Sequence, residues 1–427
     1  MNRTVETGKT LIIDGPASVN FVSGYAEVLG APLKTDERIV VRDAKRMPIE
    51  VKKKAEFNIM LGEGAAAEEV EGSTIPASWK NASEKIVTFN EKPIIIMILG
   101  KVDVGKSSFC AYLANSILRS KKRVAVVDGD LGQSDVGPPA SIGYGLVKRP
   151  IKDLFEVGAD DVFFIGVTTP SGVMDEVMAG IAKMKHEALE RSDAEFLIVN
   201  TDGWVEGEDA AKYKVSSVER VNPSVVVGLQ QENELAHILA SLKTETISVE
   251  TPQAVKQRDR EKRKVLRELS YKKYLRSAKV LTFPLSWIRI EGVPLGAGAP
   301  PRKAQMEKIE ELLSVSPLHC EETATTILLV LGSQQWVHRE RIKAIEGAFQ
   351  KKVLVMREGD EEGLLVSLHD ENRYFLGIGI LAGIDYERKA MKVYTSAKGK
   401  VSTISVGQIK LDKDCGELGI NPISTEI

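Results

Sequence analysis

The sequence is short of cysteine, with three in 427 residues at positions 110, 320 and 415. Cysteines so few and so scattered exclude a disulfide framework and a thiolate zinc site. The five histidines, His186, His237, His319, His338 and His369, form no constellation. Long hydrophobic runs are also missing. The longest uncharged apolar stretch, 374–384, contains three glycines and falls far short of the roughly 20 residues that a membrane helix needs. The opening residues MNRTVETGKT carry no apolar signal-peptide core, so a soluble, cytoplasmic protein without membrane partners is expected. Charge of one sign is not in excess either: 58 Lys and Arg face 60 Asp and Glu, a net charge of −2. That balance excludes a polybasic protein that coats nucleic acid by bulk charge, and leaves room for a local basic groove.

What is present is an ordinary globular composition, 28 % charged and 43 % hydrophobic, on a chain long enough for two to four domains. Residues 1–90 show short β-type runs at 11–13, 19–22, 26–29, 39–41 and 49–51, broken by Gly, Pro and charged turns, the texture of a small sandwich or barrel. At 94–99 the chain turns continuously apolar, and similar runs recur at 124–127, 162–167, 196–199 and 225–229. Helical patterns at 107–118, 175–189, 206–219 and 232–242 separate them. This alternation predicts an α/β domain over 91–280 with a doubly wound parallel sheet. Its last part, 253–280, is a basic helix-forming segment with eleven Lys and Arg against three acids up to residue 279. After a Gly/Pro-rich linker at 292–301 and one helix at 302–313, β-type runs return at 326–331, 352–356, 374–383 and 401–406. They predict a C-terminal β-rich domain over 281–427.

Gly100-Lys101-Val102-Asp103-Val104-Gly105-Lys106-Ser107, followed by Ser108, fits the phosphate-binding pattern G-x-x-x-x-G-K-[ST]. It follows a buried strand and opens an apolar helix, the context the motif requires. Backbone N–H groups and the helix N-terminus would cradle phosphates. Lys106 would reach the β- and γ-phosphates of ATP or GTP, and the Ser107 hydroxyl would ligate Mg²⁺. The run 124–127 leads into Asp128-Gly129-Asp130-Leu131-Gly132-Gln133. Two carboxylates one residue apart allow two roles, one for the metal and one for the nucleophile, with Asp128 the candidate metal ligand.

Three further features bear on the chemistry. Trp204, in Thr201-Asp202-Gly203-Trp204, either packs in the core or offers a stacking face to a nucleobase. Thr168-Thr169-Pro170-Ser171-Gly172 is either a turn and helix cap or a seat for a substrate phosphate. In the basic segment, Arg263 and Arg267 share a helix face, with Arg260 near it. Such a charge run is either a solvated helix surface or, over a phosphate site, a lid that brings guanidinium groups to the transferring phosphoryl.

In order and spacing these motifs resemble the polynucleotide 5′-hydroxyl kinase family, the P-loop RNA kinases of tRNA splicing, rRNA processing and mRNA 3′-end formation. The resemblance covers about residues 95–280, including Arg263-x-x-x-Arg267 followed by Tyr274, with β-rich flanks fitting the family's three-domain plan. It implies transfer of the ATP γ-phosphate to the 5′-OH end of single-stranded RNA or DNA, with Mg²⁺ as cofactor and RNA-processing proteins as partners. Lys106, Asp130, Arg263 and Arg267 are then the catalytic residues. Gln133, Thr169, Ser171, Trp204 and Arg258 are the nucleic-acid contacts. The third lid arginine aligns with Arg258, whereas helical geometry favours Arg260. Two rival readings stand beside the kinase. One is a dimeric switch ATPase in which Lys101, five residues before Lys106, reaches across the interface. The other is a catalytically silent ATP-binding subunit of an RNA-processing complex.

Overall fold

The protein was analysed as a computed structural model, which describes residues 1–420. The end of the expected C-terminal domain, 421–427, lies outside the described residues. The chain divides into two compact units, Met1–Ser270 and Tyr271 onward.

The first unit opens with an antiparallel sheet of seven strands: β1 (Asn2–Val5), β2 (Lys9–Asp14), β3 (Ala17–Val28), β4 (Ala31–Pro32), β5 (Glu37–Val41), β6 (Arg46–Leu61) and β7 (Ala66–Glu71). The runs expected at 19–22 and 26–29 belong to one bent strand, β3, which pairs along the 16-residue β6 with register shifts between Phe21 and Ala26. At the bend, Gly24 has φ +104°, and a Cβ there would meet Lys54 O at 2.2 Å. Strand β7 (AAEEVE) is too acidic to read as a strand, yet it pairs throughout with β2.

Helix α1 (Ala77–Val87) leads to the central sheet of β8 (Ile94–Gly100), β9 (Val124–Gly129), β10 (Ser141–Val147), β11 (Asp161–Phe164), β12 (Phe196–Thr201), β13 (Val225–Gln230) and β14 (Thr246–Glu250). Its order is β11-β10-β9-β12-β8-β13-β14. The strands β9, β12, β8, β13 and β14 run parallel, and β10 and β11 add an antiparallel edge. Every residue of β8, β9 and β12 is buried, which is why these strands read as continuous apolar runs. Helix α2 (Lys106–Arg119) covers one face, and α3 (Met174–Arg191) and α4 (Glu208–Val221) cover the other.

Strand β10 escaped the sequence reading because its glycines imitate a loop. Cβ atoms at Gly143 and Gly145 would lie 2.2 Å from Val136 O and 2.2 Å from Gly158 O. Glycine is there so that other backbone can cross the strand. The run at 162–167 stops as a strand at Phe164, since Ile165 and Gly166 donate to Ala140 O instead. The helix expected at 232–242 shrinks to α5 (Ala236–Leu239), because the Glu234 carboxylate accepts from the N–H groups of Gln231 and Glu232 and holds a turn there. The lid helix is α6 (Arg260–Tyr274), and it runs across the boundary between the two units.

The second unit contains β15 (Lys279–Pro284), β16 (Arg289–Glu291), α7 (Lys303–Leu313), β17 (His319–Glu322), β18 (Thr326–Leu331), α8 (Arg339–Phe349), β19 (Lys352–Arg357), β20 (Leu364–His369), β21 (Phe375–Asp385), β22 (Ala390–Thr395), β23 (Thr403–Leu411) and β24 (Glu417–Ile420). They form a seven-stranded sheet and a separate three-stranded sheet, β17-β18-β19, whose core is closed by α7 and α8. The unit is β-rich as expected. Helix α8 was not expected, although Ile342, Ile345 and Phe349 carry the helical spacing that packs it.

The N-terminal sheet does not have a core of its own. Its apolar residues run on through Trp79, Phe109 and the β8 residues Ile94, Ile96 and Ile98 in one buried cluster. Trp79 is the joint: it is 1 % exposed, meets Phe109 edge-on at 5.1 Å, and donates Nε1–H to Glu250 O at 2.9 Å. Trp79→Ala is therefore expected to destabilise this unit by about 3–5 kcal/mol, read as a lowered denaturant midpoint.

Candidate active site

The sequence of the phosphate loop dictates its shape. Strand β8 ends at Gly100, where a Cβ would lie 2.8 Å from Leu229 O on the neighbouring strand β13. The turn then needs left-handed backbone twice, at Asp103 (φ +59°) and Gly105 (φ +98°). Helix α2 starts at Lys106, with no side chain capping its first N–H groups. Such a helix start presents donors and a positive dipole end. Lys106 is buried and donates Nζ–H to Gly100 O (3.0 Å) and Lys101 O (2.7 Å) across the loop. Burial lowers its pKa.

A pocket opens over this loop. Its floor includes Val102, Asp103, Gly105, Lys106, Ser107 and Ser108, and its walls bring in Asp130, Gln133, Arg258 and Arg267. Lys106, Ser107, Asp130, Gln133, Arg258 and Arg267 thus meet at one place, and Arg263 is not among the lining residues. Arg260 is exposed and does not line it, whereas Arg258 does.

The two carboxylates after β9 are placed differently. Asp128 is fully buried. Its Oδ1 accepts from Asn200 Nδ2 (2.9 Å) and Asp130 N (3.2 Å), and its Oδ2 accepts from Asp135 N (2.7 Å) and Val136 N (3.1 Å). Burial, with Asp135 and Asp130 nearby, pushes its pKa up to about 7. Asp128, expected to be a metal ligand, is thus taken up in shaping the loop that carries Asp130, and it does not line the pocket. Asp130 does. Its Oδ1 accepts from the N–H groups of Gly132 (3.1 Å) and Gln133 (3.0 Å). Among the described residues no donor meets its Oδ2. Burial raises the Asp130 pKa, with Lys106 opposing.

The basic segment lies on the phosphate loop. Arg258 binds the Asp103 carboxylate through Nε (2.7 Å) and Nη2 (2.5 Å), and its own N–H also donates there (3.0 Å). Arg263 Nη2 donates to Arg258 O (2.7 Å) and stands 3.5 Å from Asp103 Oδ2. Gln133 Nε2 donates to Arg263 O (3.1 Å), tying the Asp130 loop to the lid helix.

The remaining expected residues lie around this centre. Thr169 and Ser171 are exposed in a bend where Ser171 N donates to Thr169 Oγ1 at 3.5 Å. That bend adjoins the Asp130 loop, since a Cβ at Gly132 would come 3.0 Å from Thr168 O. Trp204 is half-buried outside the pocket walls, stacked on Tyr213 at 5.9 Å and 29°. Its loop is fixed by Asp202, which accepts from Trp204 N, Tyr213 Oη and Lys214 Nζ. Lys101 pairs with Glu206 of the same chain at 2.8 Å, an intrachain partner for the lysine that a dimeric switch would send across an interface.

The sequence reading missed the wall given by the N-terminal sheet. Arg42, Lys45 and Arg46 all line the pocket. Arg42 and Lys45 share Asp135 and Asp153, while Arg46 and Lys256 share Asp14, whose pKa is held down at about 2, chiefly by Arg46. The cluster Arg42-Asp43-Ala44-Lys45-Arg46 is visible in the sequence but reads there as a charged turn.

Fold and site together define a P-loop nucleotide-binding protein with an arginine-bearing segment docked on its phosphate loop. Residues 100–277 match the family model described as mRNA cleavage and polyadenylation factor CLP1 P-loop. The chain is 29 % identical over 351 residues to a protein of Pyrococcus abyssi named polyribonucleotide 5′-hydroxyl-kinase, covering 81 % of this chain and 95 % of that one. A protein of the same name from Methanocaldococcus jannaschii is 27 % identical over 338 residues, 78 % of this chain and 91 % of that one. A CLP1 homolog of Anopheles gambiae is 29 % identical over 219 residues, 48 % of this chain and 52 % of that one. The Clp1p chain of a solved Clp1p–Pcf11p complex has the same fold, with a TM-score of 0.67 over 96 % of this chain and 97 % of that one at 12 % identity.

One contact shows how tightly the loop is held. A Cβ at Gly203 would lie 2.4 Å from Val102 Cγ2 and 2.5 Å from Val102 N. Gly203→Ala must displace the phosphate loop, a strain of about 1–3 kcal/mol, and is expected to weaken ATP binding about tenfold or more by calorimetric titration.

Proposed function

We propose that the protein is an ATP-dependent polynucleotide 5′-hydroxyl kinase that transfers the γ-phosphoryl group to the 5′-OH end of single-stranded RNA. The observation that carries this reading is Asp130. It stands in the same pocket as Lys106, Ser107, Arg258 and Arg267, with one carboxylate oxygen anchored by backbone and the other open. A nucleotide-binding switch needs no such carboxylate aimed at an acceptor hydroxyl. The names of the archaeal relatives support RNA as the polymer.

The chain's own groups divide the work. Lys106 exchanges the carbonyls of Gly100 and Lys101 for β- and γ-phosphate oxygens. Asp130 orients the 5′-hydroxyl and takes its proton late, as the new O–P bond forms and the bond to the ADP oxygen breaks. A loose phosphoryl-transfer transition state asks for little earlier activation. Arg263 and Arg267 stabilise charge on the moving group, and an arginine in this role is worth roughly 10³–10⁵ in rate. Trp204 stacks the terminal base, and Gln133, Thr169 and Ser171 hold the strand near its end, while Arg258 is held on Asp103.

The donor set fits Mg²⁺, which takes one or two protein oxygens and otherwise phosphate oxygens and water. Ser107 lines the pocket beside Lys106, and no group of three or more His, Cys, Asp or Glu side chains gathers as a metal cage among the described residues. Ser107 would hold the ion, which when bound neutralises charge on the β- and γ-phosphates. RNA-processing proteins are the proposed partners, in keeping with the Clp1p–Pcf11p neighbour, and the cytoplasm is the proposed compartment.

The test is transfer of label from γ-labelled ATP to a 5′-OH oligoribonucleotide. The wild-type protein is expected to label it, whereas Lys106→Ala and Asp130→Asn should each abolish labelling. ATP hydrolysis without labelled RNA would overturn the proposal. The pH profile follows from Asp130. Its pKa is raised, so its active carboxylate form is lost as pH falls through a value above the ordinary 3.9 or so. The acidic limb of kcat is expected above that value.

A further inference from the structure

The phosphate loop carries a feature that phosphate binding does not explain. Asp103 puts a negative charge into a loop whose task is to attract anions. Its side chain is 1 % exposed, and its backbone is left-handed at φ +59°. A buried carboxylate is costly unless paired, and the Asp103 partners all come from 155 residues or more further along the chain, through Arg258 and Arg263. The two arginines are held unequally. Arg258 is locked by two donors, Nε and its own N–H, and by the close approach of Nη2 to Oδ1. Arg263 stands at the edge of the carboxylate at 3.5 Å, and its buried Nε has no hydrogen-bond partner.

We propose that Asp103 is a positioning residue for the kinase reaction: it pins Arg258 as the pivot of the lid and so presents Arg263 to the transferring phosphoryl. The inference rests on the kinase reading above. Arg258 stays on Asp103 when ATP is bound, because its Nε–H and its backbone N–H engage both oxygens of a charged carboxylate, Oδ1 at 2.7 Å and Oδ2 at 3.0 Å. Arg263 is the mobile member, free to move its loosely held guanidinium and unsatisfied Nε–H to a phosphate oxygen. The pinning also explains why a carboxylate is tolerated in the loop, since the Arg258 charge cancels it before ATP arrives.

Asp103→Asn tests this without unfolding the loop, since asparagine adopts the left-handed region readily and keeps an acceptor for Arg258 N–H. With ATP and a 5′-OH oligoribonucleotide, kcat is expected to fall about 10- to 100-fold, the size of a lost charged hydrogen bond, while KM for ATP changes by less than about threefold. Arg258→Gln should give the same loss, and the double variant should be no worse than either single one. The ATP-bound Asp103→Asn protein should also be cut faster by trypsin at Lys256, Arg258 or Arg260. The proposal is overturned by an unchanged kcat, by losses that multiply in the double variant, or by unchanged tryptic cleavage. If the wild-type protein labels no RNA, the kinase reading fails, and the pinning of the lid by Asp103 is still decided by the cleavage rates.

Discussion

Buried charge is the constraint around which the nucleotide site is arranged. The site needs cations, and cations gathered in a half-buried pocket need carboxylates to hold them there. Four carboxylates do so: Asp103 for Arg258 and Arg263, Asp14 for Arg46 and Lys256, and Asp135 and Asp153 for Arg42 and Lys45. Removing one partner of such a pair typically costs about 3–5 kcal/mol, because it strands the other charge. The pairs therefore fix geometry more than they add stability. They bring the N-terminal sheet, the phosphate loop and the basic segment to one pocket although these parts are far apart in the chain.

That arrangement explains which parts of the molecule could be read from sequence. Whatever is local was legible. Strand β8, the loop 100–107 and helix α2 are contiguous, so their pattern in the sequence is their pattern in space. The Asp130 block and the bend at 168–172 each follow a strand on the same side of the sheet, and fall beside the loop for that reason. What depends on distant pairing was hidden. Nothing near Asp103 announces Arg258, and nothing near Asp14 announces Lys256, 242 residues away. Glycines misled for a related reason. In β10 they mark places where other backbone crosses, which a propensity reading takes for a loop.

The pair Asp128 and Asp130 shows where spacing stops being informative. Two carboxylates one residue apart would share a face if the strand continued, but β9 ends at Gly129 and the turn that follows takes Asp130 to different surroundings. Asp128, the last-but-one residue of β9, points into the protein, where Asn200 of the parallel neighbour β12 and two N–H groups of the following loop saturate it. Asp130 is one residue past the strand and faces the pocket. Its nearest acidic neighbour thus acts as scaffold, and the open oxygen of Asp130 is a consequence of how fully Asp128 is satisfied.

The basic segment changes meaning in the same light. Eleven cations between 253 and 279 look like a strip for binding a polymer. In the structure Lys256, Arg258 and Arg263 face carboxylates of the first unit, and Lys262 and Lys264 stand near Asp259 and Glu268 at 3.6 and 3.9 Å. Cations already paired within the protein condense few phosphates along a strand, and affinity through counterion release scales with the phosphates neutralised, at about 0.7 per contact in the salt exponent for single strands. Part of the local charge is therefore spent on building the pocket. A protein so arranged gains little by lying along a polymer and most by closing on one phosphoryl group at its end, which is also how a chain of net charge −2 can act on nucleic acid.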